Sequence, residues 1–196
     1  MNDVLIINSP IFKDKLEVYD EDSLPPLGLG YIATNMQNSG IEVELLDAFA
    51  NNTSVAEILN IVANKKPEFV AINVFSTNYE IVKEIIEECS FQTNFIIGGL
   101  VTKHTYHDIV TWVTSSNIDI VLGDGDYIVK DIVKNELKEE PAEVFDHRRV
   151  FRVEPNSCYF PHDISYIPLN RSFFKNEPII HPRGFIEVNL VTSTTA

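Results

Sequence analysis

Phe69-Val-Ala-Ile-Asn-Val-Phe-Ser-Thr-Asn78 decides how the rest of the chain is read. Its first seven residues are mostly apolar and β-prone without strict alternation. That is the pattern of a strand buried on both faces, and such strands belong to parallel sheets covered by helices. The run stops in the polar cluster Ser76-Thr77-Asn78, after which Ile81, Val82, Ile85, Ile86 and Cys89 keep helical spacing. The polar cluster therefore stands at the carboxyl end of a central strand, where open α/β sheets bind their ligands.

Working outward, the same alternation repeats. Strands are predicted at Asp3 to Asn8, Ile41 to Asp47, Asn94 to Ile97 and Ile118 to Leu122, besides the quoted one. Helices are predicted from Pro25 to Ser39, Ser54 to Lys66, Tyr79 to Cys89, His107 to Ser116 and Tyr127 to Glu139. Ser54 with Glu57 three residues on reads as a capping box, and Pro25-Pro26 and Gly40 bracket the first helix. Five strands alternating with five helices predict an α/β fold. Its expected form is a flavodoxin-like (Rossmann-like) doubly wound parallel five-stranded sheet of order 2-1-3-4-5. Ser9 to Pro26 is a long connection holding the acidic tract Glu17 to Asp22, and is expected to act as a flap over the site.

Composition narrows the function. The chain is 44% hydrophobic with no apolar run near the ~18 residues a bilayer span needs, and its start lacks the basic residues of a secretory signal. A cytoplasmic protein without membrane contact is expected. A net charge of -14 argues against a basic face for nucleic acid. The two cysteines, Cys89 and Cys158, lie in no metal-ligand spacing, and Cys89 falls on an apolar helical face.

The charge is unevenly spread. Residues 1–140 hold 23 acids and nine lysines but no arginine, whereas residues 141–196 are balanced and hold all five arginines. This predicts an α/β domain over 1–140 and a separate hairpin and extended connector over 141–196. In the second part, Glu143 to Val153 reads as a hairpin turning at Asp146 to Arg149, five prolines keep the next stretch extended, and Gly184 to Val191 reads as a strand opening a further domain.

Three strand ends carry the candidate site. Ser76 and Thr77 follow the third strand, Gly98, Gly99 and Leu100 the fourth, and Gly123, Asp124 and Gly125 the fifth. Glycines there bare the backbone to a bulky ligand, and hydroxyl groups can hydrogen-bond its edge. A rival reading remains open. Gly28-x-Gly30-x-x-Ala33 with Asp47 fits a dinucleotide (NAD or FAD) fingerprint, although the long connection separates its first glycine from the first strand.

The set Pro25 to Thr34, Asp47, Phe75-Ser-Thr77, Ile96-Ile-Gly-Gly-Leu100 and Gly123-Asp-Gly-Asp126 resembles, in order and spacing, the N-terminal cobalamin-binding domain of cobalamin-dependent radical SAM enzymes. The family's Gly-Glu-Gly-Glu stands here with both acids as aspartate. Ile167-Pro-Leu-Asn-Arg171 is similar to its connector, and Val188 to Ser193 to the strand before its CxxxCxxC loop. The resemblance implies cobalamin at the carboxyl edge of the sheet. It also implies a barrel domain in the same chain that binds a 4Fe-4S cluster and S-adenosylmethionine, and a methyltransferase reaction through methylcobalamin on a small-molecule or peptide substrate.

By position, Ser76 and Thr77 would bond the nucleotide tail, Gly98 and Gly99 would let it pass, and Leu100 next to them would also touch the cofactor. Gly123, Asp124 and Gly125 would form the next wall, and Asp47 with the flap would stand near the corrin rim. The DxHxxG signature of the methionine-synthase type is absent, and the sequence stops before the cluster cysteines would be due, so this stretch alone is expected to catalyse nothing. A domain of this type that has lost the cofactor and only docks is the other implied role.

Overall fold

A computed structural model describes residues 3–11, 25–161, 168–175, 179–180 and 186–187. The strands run β1 (Asp3–Asn8), β2 (Glu42–Asp47), β3 (Phe69–Asn73), β4 (Asn94–Gly98), β5 (Asn117–Leu122), β6 (Glu143–Phe145), β7 (Arg148–Arg152), β8 (Ile179–Ile180) and β9 (Ile186–Glu187). Between them lie α1 (Leu27–Asn38), α2 (Val55–Lys65), α3 (Tyr79–Glu88), α4 (Thr102–Ile109) and α5 (Ile128–Lys134), with a 3-10 turn at Arg171–Phe173. The order β2-β1-β3-β4-β5 is the doubly wound one expected, and every pairing within it is parallel.

The sheet does not stop at five strands. β7 pairs parallel with β5, and β6 closes the edge antiparallel, giving seven strands in the order β2-β1-β3-β4-β5-β7-β6. The 143–153 hairpin turns at Asp146, whose φ of 53° is left-handed, and the sheet thus continues past residue 140, where the change in charge had set a domain limit. Burial explains why: Val150, Phe151 and Val153 are all but inaccessible and cover the edge β5 would otherwise expose. Asp119 of β5 and Arg149 of β7 hold the junction through two hydrogen bonds of 2.7 and 2.8 Å.

Alternate residues of the central strands feed two cores, as a pleated sheet covered on both faces requires. Leu5, Ile7, Val70, Ile72, Phe95, Ile97, Ile118 and Ile120 pack against α2, α3 and α4. Val4, Ile6, Ala71, Ile96, Val121 and Phe151 pack against α1 and α5. β3 is buried at all five positions.

Two helices differ from their predicted spans. α4 begins at Thr102 and ends at Ile109, about one and a half to two turns earlier than predicted, because the Thr102 hydroxyl anchors its start to the carbonyls of Gly99 and Val121. Trp112, read as helical, instead folds back onto the core and meets Tyr79 edge-on at a centroid distance of 5.3 Å. α5 ends at Lys134 because Asn135 adopts a left-handed conformation and caps it. The Ser54–Glu57 capping box of α2 is formed as read. Most of the expected flap, residues 12–24, and most of the expected last strand lie outside the described residues; Ile186–Glu187 pairs antiparallel with β8. Among the described residues no helix is long and apolar enough to cross a membrane.

Candidate functional site

The topology turns back on itself between β1 and β3, and the carboxyl ends of these strands are tied by asparagines. Asn73 Nδ2 donates to Asn8 Oδ1 at 2.9 Å, the Ser9 N–H donates to Asn73 Oδ1 at 3.0 Å, and Asn8 Nδ2 donates to Asp47 Oδ1 at 2.8 Å. Asn78, fully buried, accepts from the Phe75 N–H and donates to the Asn73 carbonyl, which folds residues 74–78 into a fixed turn.

Beside this frame, on the face covered by α1 and α5, lies a cavity of about 620 Å3. Ile6, Ala71, Ile96 and Val121 line it from the sheet. The opening turn of α1 (Pro26, Leu27, Gly28, Leu29) with Ile32 makes one wall, and Val129 of α5 with Gly123 to Asp126 makes another. Gly98, Gly99, Leu100 and Lys103 lie along its β4–α4 side, and Val153, Glu154, Pro155 and Phe160 complete it from beyond β7. Part of the site therefore comes from residues past 140. An apolar interior with a few polar groups is the usual make-up of a small-molecule site.

The glycines here do different jobs. Gly99 and Gly123 have φ of 122° and 113°, and a Cβ on either would collide with the backbone carbonyl of Val74 or Val153. They are needed for the fold. Gly30 is filled by the Phe174 ring, and Gly125 faces Ile32 Cδ1 at 3.1 Å from where its Cβ would be. Gly28 and Gly98 differ from these: a Cβ on Gly28 would meet nothing within 4 Å, and one on Gly98 only the Val121 carbonyl oxygen at 4.0 Å. Packing inside the protein does not require glycine at either, yet both line the cavity.

Of the residues singled out in the sequence, Gly98, Gly99, Leu100, Gly123, Asp124 and Gly125 come together on the cavity. Leu100 lines the cavity from the β4–α4 connection and is largely exposed. Ser76 and Thr77 are exposed at the end of the β3 turn and do not line the cavity; the neighbouring Phe75 does. Asp47 also stands outside it, engaged by Asn8 and by the Ala50 N–H at 3.1 Å.

Sequence reading passed over Asn73 and Lys103, and took Asp126 and the start of α1 only as parts of motifs, without assigning them to the site. Gly28 and Gly30, two residues that weaken helices placed in a helix start, were the sequence signal for the α1 wall. Asp126 lines the cavity, and its carboxyl is pushed up to about 6, chiefly by burial and further by Asp124. Its backbone carbonyl accepts from Asn35 Nδ2 at 2.6 Å, which ties this loop to α1. Lys103 is the one cation among the described lining residues. No group of three His, Cys, Asp or Glu side chains suited to a metal ion occurs among the described residues.

Comparison with known proteins agrees with this fold. No curated protein matches the sequence. Two structures of the cobalamin-dependent S-adenosylmethionine radical enzyme OxsB, one with aqua-cobalamin and S-adenosylmethionine bound and one with aqua-cobalamin, share the fold at a TM-score of 0.54 and 18% identity. Each comparison covers 70% of this chain, which spans 19% of the OxsB chain. The family model for the B12 binding domain matches residues 20–133, more than half of the sequence. The chain thus belongs to the B12-binding domain family.

Proposed function

We propose that this chain is the cobalamin-binding module of a larger radical S-adenosylmethionine enzyme and that the cavity beneath α1 holds the nucleotide arm of the cofactor. The observation that carries the reading is the pair Gly28 and Gly98, bare Cα positions that face open cavity where the fold has no use for glycine. They let a ligand approach the backbone from both walls. The apolar floor suits an aromatic base, and Asn73 and Lys103 offer it polar partners. A volume of about 620 Å3 fits an arm of a large cofactor better than the whole of one.

When bound, cobalamin supplies a cobalt centre that carries and gives up a methyl group. The family match and the likeness to a cobalamin-dependent S-adenosylmethionine radical enzyme support cobalamin binding within an enzyme of that kind. The further reading, a cytoplasmic methyltransferase in which a barrel in the same protein holds a 4Fe-4S cluster and S-adenosylmethionine and selects a small-molecule or peptide substrate, rests on the resemblance of the sequence motifs. The chain's own part is to bind and orient the cofactor. The dinucleotide reading loses its main support, since Gly30, which a pyrophosphate would approach, is occupied by Phe174.

The test is a titration of the folded protein with hydroxocobalamin, followed by the visible corrinoid spectrum and by retention on a desalting column. Saturable binding is expected, with Gly98→Val abolishing it while the fold persists. A folded wild-type protein that retains no corrinoid would leave a domain that only docks. Tight binding of NADH would restore the dinucleotide reading.

A further inference from the structure

The segment at 168–175 runs across α1, the same helix whose opening turn walls the cavity. Asn170 organises the contact. Its N–H donates to Thr34 Oγ1 at 3.0 Å, its Nδ2 donates to Gln37 Oε1 at 2.7 Å, and its Oδ1 accepts from the Ser172 N–H at 3.0 Å. The last of these caps the 3-10 turn Arg171–Phe173, which delivers Phe174 onto Gly30. A Cβ on Gly30 would strike Phe174 Cζ and lie 3.0 Å from Leu169 Cδ1, so the ring fills the notch that the missing side chain leaves. Thr34, which receives Asn170, donates its own hydroxyl to the Gly30 carbonyl at 2.7 Å. Phe174 is 7% exposed and belongs to the core shared by α1, α5 and the sheet.

Helical geometry gives this contact its consequence. Residues 30, 34 and 37 lie on one stripe of α1 and meet the connector, whereas Gly28, Leu29 and Ile32 lie on another and meet the cavity. The N-terminus of α1 has no side-chain cap, and at its C-terminus the Ser39 hydroxyl donates to the Asn35 carbonyl of the same helix at 2.9 Å, a bond that does not tie the helix to the sheet. Contact along its side must therefore set the position of the helix relative to the sheet, and with it the width of the cavity between Gly28 and Gly98.

We propose that Phe174 is a positioning residue for the cofactor cavity: seated in the Gly30 notch, it holds α1 at the distance from the sheet that the ligand requires. The ligand in this statement rests on the cobalamin reading. Displacing the connector loosens one wall of the cavity and leaves the opposite wall, built from β4 and β5, as it was. Whatever pulls on residues 168–175 thereby changes how tightly the cofactor is held.

Four variants test this: Phe174→Ala, Phe174→Leu, Gly30→Ala and the double Gly30→Ala/Phe174→Ala, each titrated with hydroxocobalamin and examined by amide hydrogen exchange without ligand. A wall loosened by a fraction of an ångström is expected to weaken hydroxocobalamin about tenfold in Phe174→Ala and in Gly30→Ala. The double variant should be no weaker than either single one, because both remove the same contact. Phe174→Leu should bind within about threefold of wild type. Exchange should rise in α1 and stay unchanged in α3, which packs on the other face.

Affinities within twofold of wild type, or exchange rising equally in α1 and α3, would overturn the proposal. The second result would mean that Phe174 contributes only general stability. If wild-type protein binds no corrinoid, the cobalamin reading fails, and the exchange comparison alone then decides whether Phe174 holds α1.

Discussion

Two pairs of glycines separate what the fold needs from what the ligand needs. Gly99→Ala and Gly123→Ala place a Cβ against a backbone carbonyl at positive φ, and each is expected to cost about 2–3 kcal/mol of stability in denaturant unfolding. Gly98→Ala and Gly28→Ala meet no such obstacle, so stability should stay within about 0.5 kcal/mol or, at Gly28, rise slightly through helix propensity. Corrinoid affinity should fall in this second pair. If Gly99→Ala unfolds no more easily than Gly98→Ala, the distinction fails.

Asp126 makes a further prediction at the scale of one side chain. Its carboxyl holds a proton up to about pH 6 in the folded protein, against about 3.8 ordinarily, so the folded state binds more protons between these values. The contribution of Asp126 to stability is therefore full below about pH 4 and is lost as pH rises to about 6, by about 3 kcal/mol at most. Glu57, Glu139 and Glu143 are shifted down by their hydrogen-bond partners and act in the opposite sense. The informative quantity is thus the difference between wild type and Asp126→Asn. Their stabilities should converge near pH 4 and diverge in favour of Asp126→Asn near pH 7, and parallel curves would disprove the assignment.

Among the described elements, β7 is attached to β5 through a largely buried ion pair. Asp119 is almost wholly buried and its bidentate partner Arg149 comes from β7, with the Arg149 guanidinium also lying over the Phe151 ring at 5.4 Å. Arg149→Met leaves a buried carboxylate without its cation and is expected to destabilise by about 3 kcal/mol. The loss should appear in thermal unfolding, and Asp119→Asn in the same background should recover part of it. The central strands were legible because each is a short β-prone run that needs burial on both faces. The ends of α4 and α5 were not, since Thr102 and Asn135 set them through tertiary hydrogen bonding and a left-handed conformation that periodicity does not encode.

On the scale of the whole molecule, the hairpin is a structural part of the domain and the change in charge near residue 140 marks no break in it. A chain ending at residue 140 would expose the edge of β5 and lose the burial of Val150, Phe151 and Val153, about 5 kcal/mol at the usual value for such side chains. It would also lose the cavity wall made by Val153, Pro155 and Phe160. The truncated chain is expected to aggregate or to melt well below the full chain, as size-exclusion chromatography and calorimetry would register. A shorter chain that folds and binds corrinoid as tightly as the full one would contradict this.

By itself the sequence determined the alternation of strands and helices, the order of the five central strands and the clustering of glycines at their carboxyl ends. Each of these follows from local pattern and from the short, right-handed connections that such patterns permit. Only the tertiary structure decided which of those glycines face open space. It alone left Ser76, Thr77 and Asp47 outside the cavity while bringing in Asn73, Lys103, Val153 to Pro155 and Phe160. The reason is physical: whether a bare Cα lies against a carbonyl, a ring or empty volume depends on groups tens of residues away, as Phe174 on Gly30 and Val153 on Gly123 demonstrate.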